Sequence, residues 1–222
     1  MNILIVAAHP DDEILGCGAT INKHFKNGDV VNVAIMATGL ASRGEFDKSD
    51  FLKLKDCAVK ASKILGVKDI FFLDKKDNMM DSEPSLLVIK EIEILITKTQ
   101  PDIIYTHYYG DLNIDHQIIS NAVQVAARPL PGVKFIEIRL FEVLSSTEWG
   151  RHLGKGNFVP NLYIDVNNEI DCKIKALKQY KTEMRDFPHP RSIENNKYLS
   201  RLRGTECGLL NAEAFLVIRS LK

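Results

Sequence analysis

The chain has 222 residues, 45% of them hydrophobic and 26% charged, which is typical of a folded globular protein and excludes a largely disordered chain. Its 29 Lys and Arg residues balance 29 Asp and Glu residues, so we expect no nucleic-acid partner. Four scattered cysteines exclude a small disulfide-rich module and favour a reducing compartment. The N-terminal apolar run is too short for a signal peptide or a membrane span, so we expect a cytoplasmic protein without a membrane-spanning segment.

Apolar runs predict strands, and helical periodicity predicts helices between them. In chain order, the predicted strands are 3–8, 30–37, 69–73, 103–106, 137–144 and 162–166, and the predicted helices are 13–25, 51–65, 84–98, 115–126, 170–177 and 193–202. The alternation of strand and helix over the first half implies a parallel sheet with helices on its faces. No linker or composition shift divides the chain, so we predict one domain.

Histidines and carboxylates follow two of these strands. His9, Asp11 and Asp12 come directly after the first strand, and His107 comes directly after the fourth, followed by the polar segment 111–116. Ligands of open parallel sheets bind beyond the carboxyl ends of the strands. If strands one and four are neighbours, the two clusters face each other across one sheet edge.

Two imidazoles and one carboxylate are a typical catalytic zinc set that leaves a fourth position for water. His9 and His116 are the natural imidazoles, and either Asp11 or Asp12 supplies the carboxylate. The remaining carboxylate is then free to act as a general base. Asp115 is a candidate for orienting an imidazole. The residues therefore predict metal-assisted hydrolysis, with an amide, an ester or a phosphoester left open as the bond cleaved.

Other residues are interpreted as structural. The sequence Gly-Cys-Gly at 16–18 lies inside the first predicted helix and lacks the spacing of a dinucleotide-binding loop, so it indicates close packing of helix on sheet. Cys17 is interpreted as a small core residue. Trp149 is interpreted as a packing residue in preference to one that stacks on a sugar ring. The chain has no Gly-x-Ser-x-Gly motif, which disfavours a serine hydrolase.

The motif HPDDE at 9–13, followed by the glycines at 16–18, resembles the opening signature of the PIG-L (LmbE-like) family of zinc-dependent N-deacetylases. The segment THYYGDLNIDH at 106–116 resembles the second signature of that family, and Arg203-Gly204 and 212–215 also fit. The resemblance implies a Rossmann-like three-layer α/β/α fold with a mostly parallel sheet, in one domain covering 1–222. It also implies hydrolysis of the N-acetyl group of an amino-sugar conjugate, with release of acetate.

Matched position by position, the resemblance implies that His9, Asp12 and His116 bind zinc, with ferrous iron as an alternative in the cell. It implies that Asp11 is the general base. Asp115 matches the acidic residue that supports catalysis beside the last ligand. We expect a small-molecule N-acetyl-sugar as the substrate and leave open whether the protein is a homo-oligomer.

The chain departs from the family pattern at one position. Some members carry a histidine three residues before the last ligand, where this chain has Asn113. The group that stabilises the oxyanion is therefore open: either Asn113 donates from its amide, or His107 or His189 replaces that histidine, with His107 assigned to the catalytic set.

Five residues are assigned to substrate binding. They lie in the loop after strand two, in the second signature and in a late loop bounded by prolines: Arg43, Asp111, Asn113, His189 and Arg191.

Two alternative functions remain. One is a metal-dependent amidase that cleaves a non-acetyl amide such as a thiol conjugate. The other is a catalytically silent sugar-binding protein on the same fold. Acetate release from N-acetyl sugars discriminates between them and the deacetylase.

Overall fold

The computed structural model describes residues 1–37, 48–152, 154 and 156–221, and the described residues form one seven-stranded sheet with six α-helices. The strands are β1 (Asn2–Ala7), β2 (Val30–Ala37), β3 (Asp69–Lys75), β4 (Ile103–His107), β5 (Glu137–Phe141), β6 (Leu162–Asp165) and β7 (Ala212–Arg219). The helices are α1 (Asp12–Lys26), α2 (Lys48–Leu65), α3 (Ser85–Thr99), α4 (Ile114–Ala126), α5 (Ile170–Leu177) and α6 (Ile193–Thr205). Short 3-10 helices lie at Met80–Ser82 and Thr147–His152.

The strand order is β3-β2-β1-β4-β5-β7-β6. All neighbours from β3 to β5 are parallel, and β7 runs antiparallel to both β5 and β6. β1 therefore pairs directly with β4, the condition under which the two polar clusters meet. The prediction of a mostly parallel sheet in a three-layer fold is confirmed.

The sequence analysis predicted no strand after residue 202, so β7 was missed. The apolar run of β7 includes Glu213, and a charged residue is ordinarily expected to be exposed. In the fold this carboxylate is buried and accepts the backbone N–H groups of Ala19 and Thr20, at 3.1 and 2.7 Å, and the ammonium of Lys173 at 2.7 Å. Partners so distant along the chain leave no local signal.

The two faces of the sheet are covered by different helices. Ile3 and Ile5 of β1 pack with α1, α2 and α5, whereas Leu4 and Val6 pack with α3 and α4. Alternate side chains of a strand point to opposite faces, so a continuous apolar run fills both layers. None of the helices in the described part of the chain has the length and hydropathy to cross a bilayer.

Close packing brings the start of α1 against the sheet. A Cβ atom on Gly16 would lie 2.3 Å from the ring of Phe141, so only glycine fits there. Cys17 is buried with non-helical dihedrals (φ −147°, ψ 24°) that kink α1. The packing interpretation of this segment is confirmed, and the kink leaves the first turn of α1 at the carboxyl edge of β1.

Candidate metal centre

The turn between β1 and α1 separates the two adjacent aspartates. Asp11 has φ 107°, a left-handed conformation that costs energy for a residue with a side chain. Its N–H donates to Oε2 of Glu13 at 3.0 Å, and its carbonyl accepts from Ile14 and Leu15 at 3.0 and 2.9 Å. These bonds hold the strained turn, and Asp12 begins the helix with a different orientation.

Three ligand atoms converge beyond β1 and β4. Oδ2 of Asp12 lies 3.3 Å from Nδ1 of His9 and 3.1 Å from Nε2 of His116, and the three ligand atoms lie within 4.8 Å of one another. Oδ1 of Asp12 is buried and has no hydrogen-bond partner. A buried carboxylate oxygen without a donor is costly, and a cation satisfies it. The two imidazoles and one carboxylate thus fit a divalent metal ion with nitrogen and oxygen ligands.

Protons on the two imidazoles of this cluster balance the negative charge of the neighbouring carboxylates. Burial alone would raise the pKa of Asp12, but the neighbouring His116 holds it well below its usual value. Burial alone would lower the pKa of His116, but Asp12 and Asp111 raise it to about 9. Likewise, hydrogen bonds to three carboxylates outweigh burial and raise the pKa of His9. Because a metal binds neutral imidazole, metal binding here releases protons and is favoured by high pH.

Asp111 supports His116 from behind. Its Oδ1 lies 3.1 Å from Nδ1 of His116, and it accepts hydrogen bonds from the hydroxyls of Ser146 and Thr147, the latter at 2.5 Å, and from the N–H of Asn113 at 2.9 Å. The side chain is fully buried. This placement corrects the predicted substrate-binding role, because both oxygens are occupied and out of reach of a ligand.

Asp115 follows β4 in the chain, but it contacts the imidazole of His9, which follows β1. Its Oδ2 lies 3.0 Å from Nε2 of His9, and its two oxygens accept the N–H groups of Asn78 and Met80 at 2.7 and 3.1 Å. Asp77, which the sequence analysis missed, places Oδ1 at 2.9 Å from the same Nε2. The signal for Asp77 was its position two residues beyond β3, at the same sheet edge.

A second group of possible ligands therefore shares His9: His9, Asp77 and Asp115 also lie within 4.8 Å of one another. An imidazole that binds a metal through one nitrogen usually donates its other N–H to a carboxylate. We therefore interpret Nδ1 of His9 as the ligand atom and the two carboxylates on its Nε2 as groups that fix the ring.

The Asp11 carboxylate is not among the converging ligand atoms and is paired with Arg191. Its Oδ2 accepts from Nη1 of Arg191 at 3.1 Å, and Nε of Arg191 donates to Oγ of Ser145 at 2.7 Å. Burial raises the pKa of Asp11 well above its usual value, although the guanidinium of Arg191 opposes this. The late loop that carries Arg191 thus reaches the site, as the sequence analysis expected.

Glu13 and Tyr180 form a buried contact that the sequence analysis also missed. The hydroxyl of Tyr180 donates to Oε1 of Glu13 at 2.6 Å, and burial raises the pKa of this carboxyl group to about 7. Because Oε2 of Glu13 holds the backbone of Asp11, this contact braces the strained turn. No sequence signal links positions so far apart.

His107 does not face the solvent side of the site. Its ring is fully buried, its Nε2 accepts the N–H of Ala8 at 2.8 Å, and it stacks on His116 with ring centroids 3.9 Å apart. Burial lowers the pKa of His107 well below its usual value. A neutral ring held in this way supports the loop after β1, which corrects the predicted catalytic role of His107.

Three predicted site residues remain: Asn113, His189 and Arg43. Oδ1 of Asn113 accepts the N–H of Asp115 at 2.8 Å and caps α4, while its Nδ2 donates to Asn78 at 2.9 Å. Nδ1 of His189 accepts the N–H of Arg191 at 3.0 Å, so neutral His189 carries its proton on Nε2. Arg43 lies outside the described residues.

Fold and site define an α/β enzyme with a metal centre at the carboxyl edge of its sheet. Residues 4–127 match the PIG-L family, described as GlcNAc-PI de-N-acetylase, and the chain belongs to this family. The recognised resemblance is thereby confirmed, as is the class of enzyme, a hydrolase that acts on N-acetyl amide bonds.

Two curated relatives carry deacetylase names. "Uncharacterized deacetylase YaiS" of Escherichia coli is 26% identical over 186 residues, 81% of this chain and 90% of YaiS. "Probable N-acetyl-alpha-D-glucosaminyl L-malate deacetylase 2" of Bacillus cereus is 27% identical over 195 residues, 82% of this chain and 83% of the relative.

Two solved structures show the same fold. N,N'-diacetylchitobiose deacetylase from Pyrococcus horikoshii has a TM-score of 0.78 at 20% identity, covering 97% of this chain and 83% of its own. GalB, the 4-carboxy-2-hydroxymuconate hydratase from Pseudomonas putida, has a TM-score of 0.80 at 20% identity, covering 100% and 98%. Since a hydratase shares the fold, the fold alone does not define the reaction.

Proposed function

We propose that this protein is a zinc-dependent N-deacetylase that removes the acetyl group from an amino-sugar conjugate and releases acetate. The observation that carries the proposal is the convergence of His9, Asp12 and His116 on one buried point, with Asp11 held apart from them. A ligand set and a separate carboxylate are the parts that metal-assisted amide hydrolysis needs.

His9, Asp12 and His116 would hold the metal. When bound, a divalent metal polarises a carbonyl oxygen and acidifies water. Two imidazoles with one carboxylate favour zinc, and ferrous iron is the alternative. Asp111 behind His116, and Asp77 and Asp115 behind His9, keep both rings in the orientation that ligation requires.

Asp11 is the proposed general base. It takes a proton from the attacking water and then returns it to the nitrogen of the departing amine. Its raised pKa suits both steps, because a base works best when its pKa lies nearer the working pH. Arg191 fixes the Asp11 carboxylate from the side of the late loop.

The oxyanion that forms on the acetamide carbonyl needs a hydrogen-bond donor. His107 is buried behind the site, which leaves Asn113 and His189. One N–H of the Asn113 amide bonds Asn78, so its second N–H is the donor we propose. His189 with its proton on Nε2 is the alternative.

Substrates of the related proteins, by their names, are an N-acetylglucosaminyl malate and diacetylchitobiose, which share an N-acetylglucosamine unit. We propose that unit as the part recognised by this chain. All four cysteines are free, which fits a reducing compartment, and we propose the cytoplasm as the location.

The test is acetate release from N-acetylglucosaminyl malate, diacetylchitobiose and methyl N-acetylglucosaminide by zinc-loaded protein. We expect acetate and free amine in equal amounts. Asp11→Asn should retain about one metal ion per chain and lose roughly 10²–10⁴-fold in turnover.

Two outcomes would contradict the proposal. Cleavage of larger acyl amides without acetate release would favour the amidase. Binding of these sugars by wild type and Asp11→Asn alike, without turnover, would favour the silent sugar-binding protein.

A further inference from the structure

Five large apolar side chains are exposed beside the candidate metal centre. We name this group the apolar collar: Met79, Tyr109, Leu112, Ile114 and Trp149, with exposed fractions between 39% and 49%. All five lie in loops, or at the ends of helices, at the carboxyl edge of the sheet. The half-exposed Trp149 also corrects its interpretation as a packing residue.

The three backbone segments that carry the collar lie side by side. Asn113 and Asp115 bond residues 78–80, which places Met79 against the start of α4. On the other flank, the hydroxyls of Ser146 and Thr147 bond Asp111. A Cβ atom on Gly150 would lie 2.3 Å from the carbonyl oxygen of Gly110, so the helix with Trp149 touches the segment with Leu112.

The same segments carry the groups that support the metal ligands. Leu112 and Ile114 alternate with Asp111, Asn113 and Asp115, and Leu112 is four residues before His116. Asp111 and Asp115 are buried and Asn113 is half-buried, whereas Leu112 and Ile114 are exposed. A contiguous apolar surface of this kind on a folded protein usually marks a binding site.

The part of the site around Asp11 is polar. There the late loop supplies the guanidinium of Arg191, which contacts Asp11, Ser145 and, at 3.6 Å, Oε2 of Glu183. The site therefore has one rim suited to hydroxyl and acetamide groups and one rim suited to hydrocarbon or an aromatic ring.

We infer that the collar binds an apolar aglycone, so that the preferred substrate is an N-acetylglucosamine unit linked to an aliphatic or aromatic group. The inference rests on the proposed function. Ile114 is two residues before His116, and Met79 follows Asn78, whose N–H bonds Asp115, so the collar adjoins the groups that support the ligands. This continuity with the site is the reason to assign the surface to substrate.

Two other occupants fit the observations less well. Segments 78–80, 109–115 and 146–150 contain no Lys or Arg, whereas surfaces that bind anionic bilayers are basic. Five half-exposed side chains supply less area than the roughly 800 Å² that each partner of a stable protein interface buries, which disfavours a second copy of the chain.

The experiment compares methyl and hexyl glycosides of N-acetylglucosamine with the same anomeric configuration, using zinc-loaded protein. We expect kcat/KM to be at least about tenfold higher for the hexyl glycoside, since its longer chain buries more apolar surface on the collar. In Trp149→Ser and in Leu112→Ser the ratio should fall to within about twofold of one.

The matched control is Ile94→Ser on α3, which removes a side chain with 66% exposure outside the collar. It should leave the wild-type ratio unchanged. Circular dichroism of all three variants verifies that they are folded.

Equal kcat/KM for the two glycosides in wild type would overturn the collar assignment and leave the proposed function standing. Absence of acetate from both glycosides would contradict the proposed function and the collar with it. A wild-type dimer in sedimentation equilibrium that Trp149→Ser dissociates, or collar-dependent binding to phospholipid vesicles, with no aglycone preference, would assign the surface to that other partner.

Discussion

Two histidine-centred networks lie at opposite ends of α1 and differ in how their charges are satisfied. Toward the end of the helix, Nδ1 of His24 contacts Asp29 at 2.6 Å, and Nε2 contacts the hydroxyl of Tyr105 at 2.9 Å. Arg139 donates to the same hydroxyl at 2.6 Å. None of these four described residues has a buried side-chain atom without a partner.

At the start of the helix, the hydrogen-bond donors are distributed unequally over the two oxygens of Asp12. Oδ2 of Asp12 lies within 3.7 Å of nitrogen atoms of His9, His107 and His116, while Oδ1 has no donor. The contrast indicates which network offers a site for a cation. Hydrogen bonds complete the His24 network, whereas the His9–Asp12–His116 network balances its charge only by taking up protons or a metal.

Removal of the shared ligand should give the largest effect. Asp12→Ala leaves two imidazoles without their common carboxylate, so we expect metal content to fall from about one to below about 0.1 per chain. Activity should fall by more than about 10³-fold, since a metal held by these residues would acidify the attacking water in the proposed mechanism. Elemental analysis and acetate release measure the two quantities.

Asp29→Ala is the control for Asp12→Ala, because it removes the carboxylate of the other histidine network. It should keep the metal. Full metal content in Asp12→Ala would contradict the assignment of the ligands.

Removal of a supporting carboxylate should have a smaller effect. Asp111→Asn weakens the orientation of His116, and we expect metal affinity to fall roughly 10–100-fold. Competition with a chromogenic chelator gives the dissociation constant. Asp29→Asn changes a carboxylate that contacts His24 and should leave the dissociation constant of the metal unaltered. Equal affinity in Asp111→Asn and wild type would mean that His116 needs no support.

The sequence predicted the sheet, the two clusters and their meeting, because each depends on local apolar runs and on strand ends. It did not predict which carboxylate supports which imidazole. Asp115 is adjacent to His116 in sequence, but successive helical residues point about 100° apart, and it contacts His9. Tyr180 and β7 were missed because their partners come from distant parts of the chain, whereas Asp77 was missed although it follows the end of β3.

The oxyanion donor can be separated from the helix cap at Asn113. Asn113→Ala removes both the cap and the amide donor, whereas Asn113→Ser keeps a capping oxygen. If the amide is the donor, kcat should fall about 10-fold or more in both variants, without a shift of the alkaline limb of the pH–rate profile. Recovery of kcat in Asn113→Ser would reduce the role of Asn113 to capping.

His107→Gln completes that experiment. Because His107 is buried against Ala8, we expect a lower melting temperature and an unchanged pH–rate profile. Loss or displacement of the alkaline limb in this variant would restore the catalytic role.

The smallest expected effect is the pH dependence of stability from His24. Burial lowers the pKa of His24 in the folded state, so below about pH 6.5 the unfolded chain binds a proton that the folded chain does not. The contribution of His24 to the free energy of unfolding therefore decreases as pH falls through this range. Between pH 7.5 and 5.5, the free energy of unfolding measured in urea should fall less, or rise more, in His24→Gln than in wild type.

The comparison isolates His24 because the other histidines are unchanged in the variant. His107 acts in the same direction because burial lowers its pKa, whereas His9 and His116 act in the opposite direction because neighbouring carboxylates raise their pKa values. These three contributions are common to both proteins. Identical slopes would contradict the contribution of His24.

Anomalous diffraction at the zinc edge tests the central claim most directly. From a crystal of zinc-loaded protein we expect one peak, about 2.0–2.2 Å from Nδ1 of His9, a carboxylate oxygen of Asp12 and Nε2 of His116, and none beside His24. A peak on the Nε2 side of His9, between Asp77 and Asp115, or no peak at this edge of the sheet, would contradict the account.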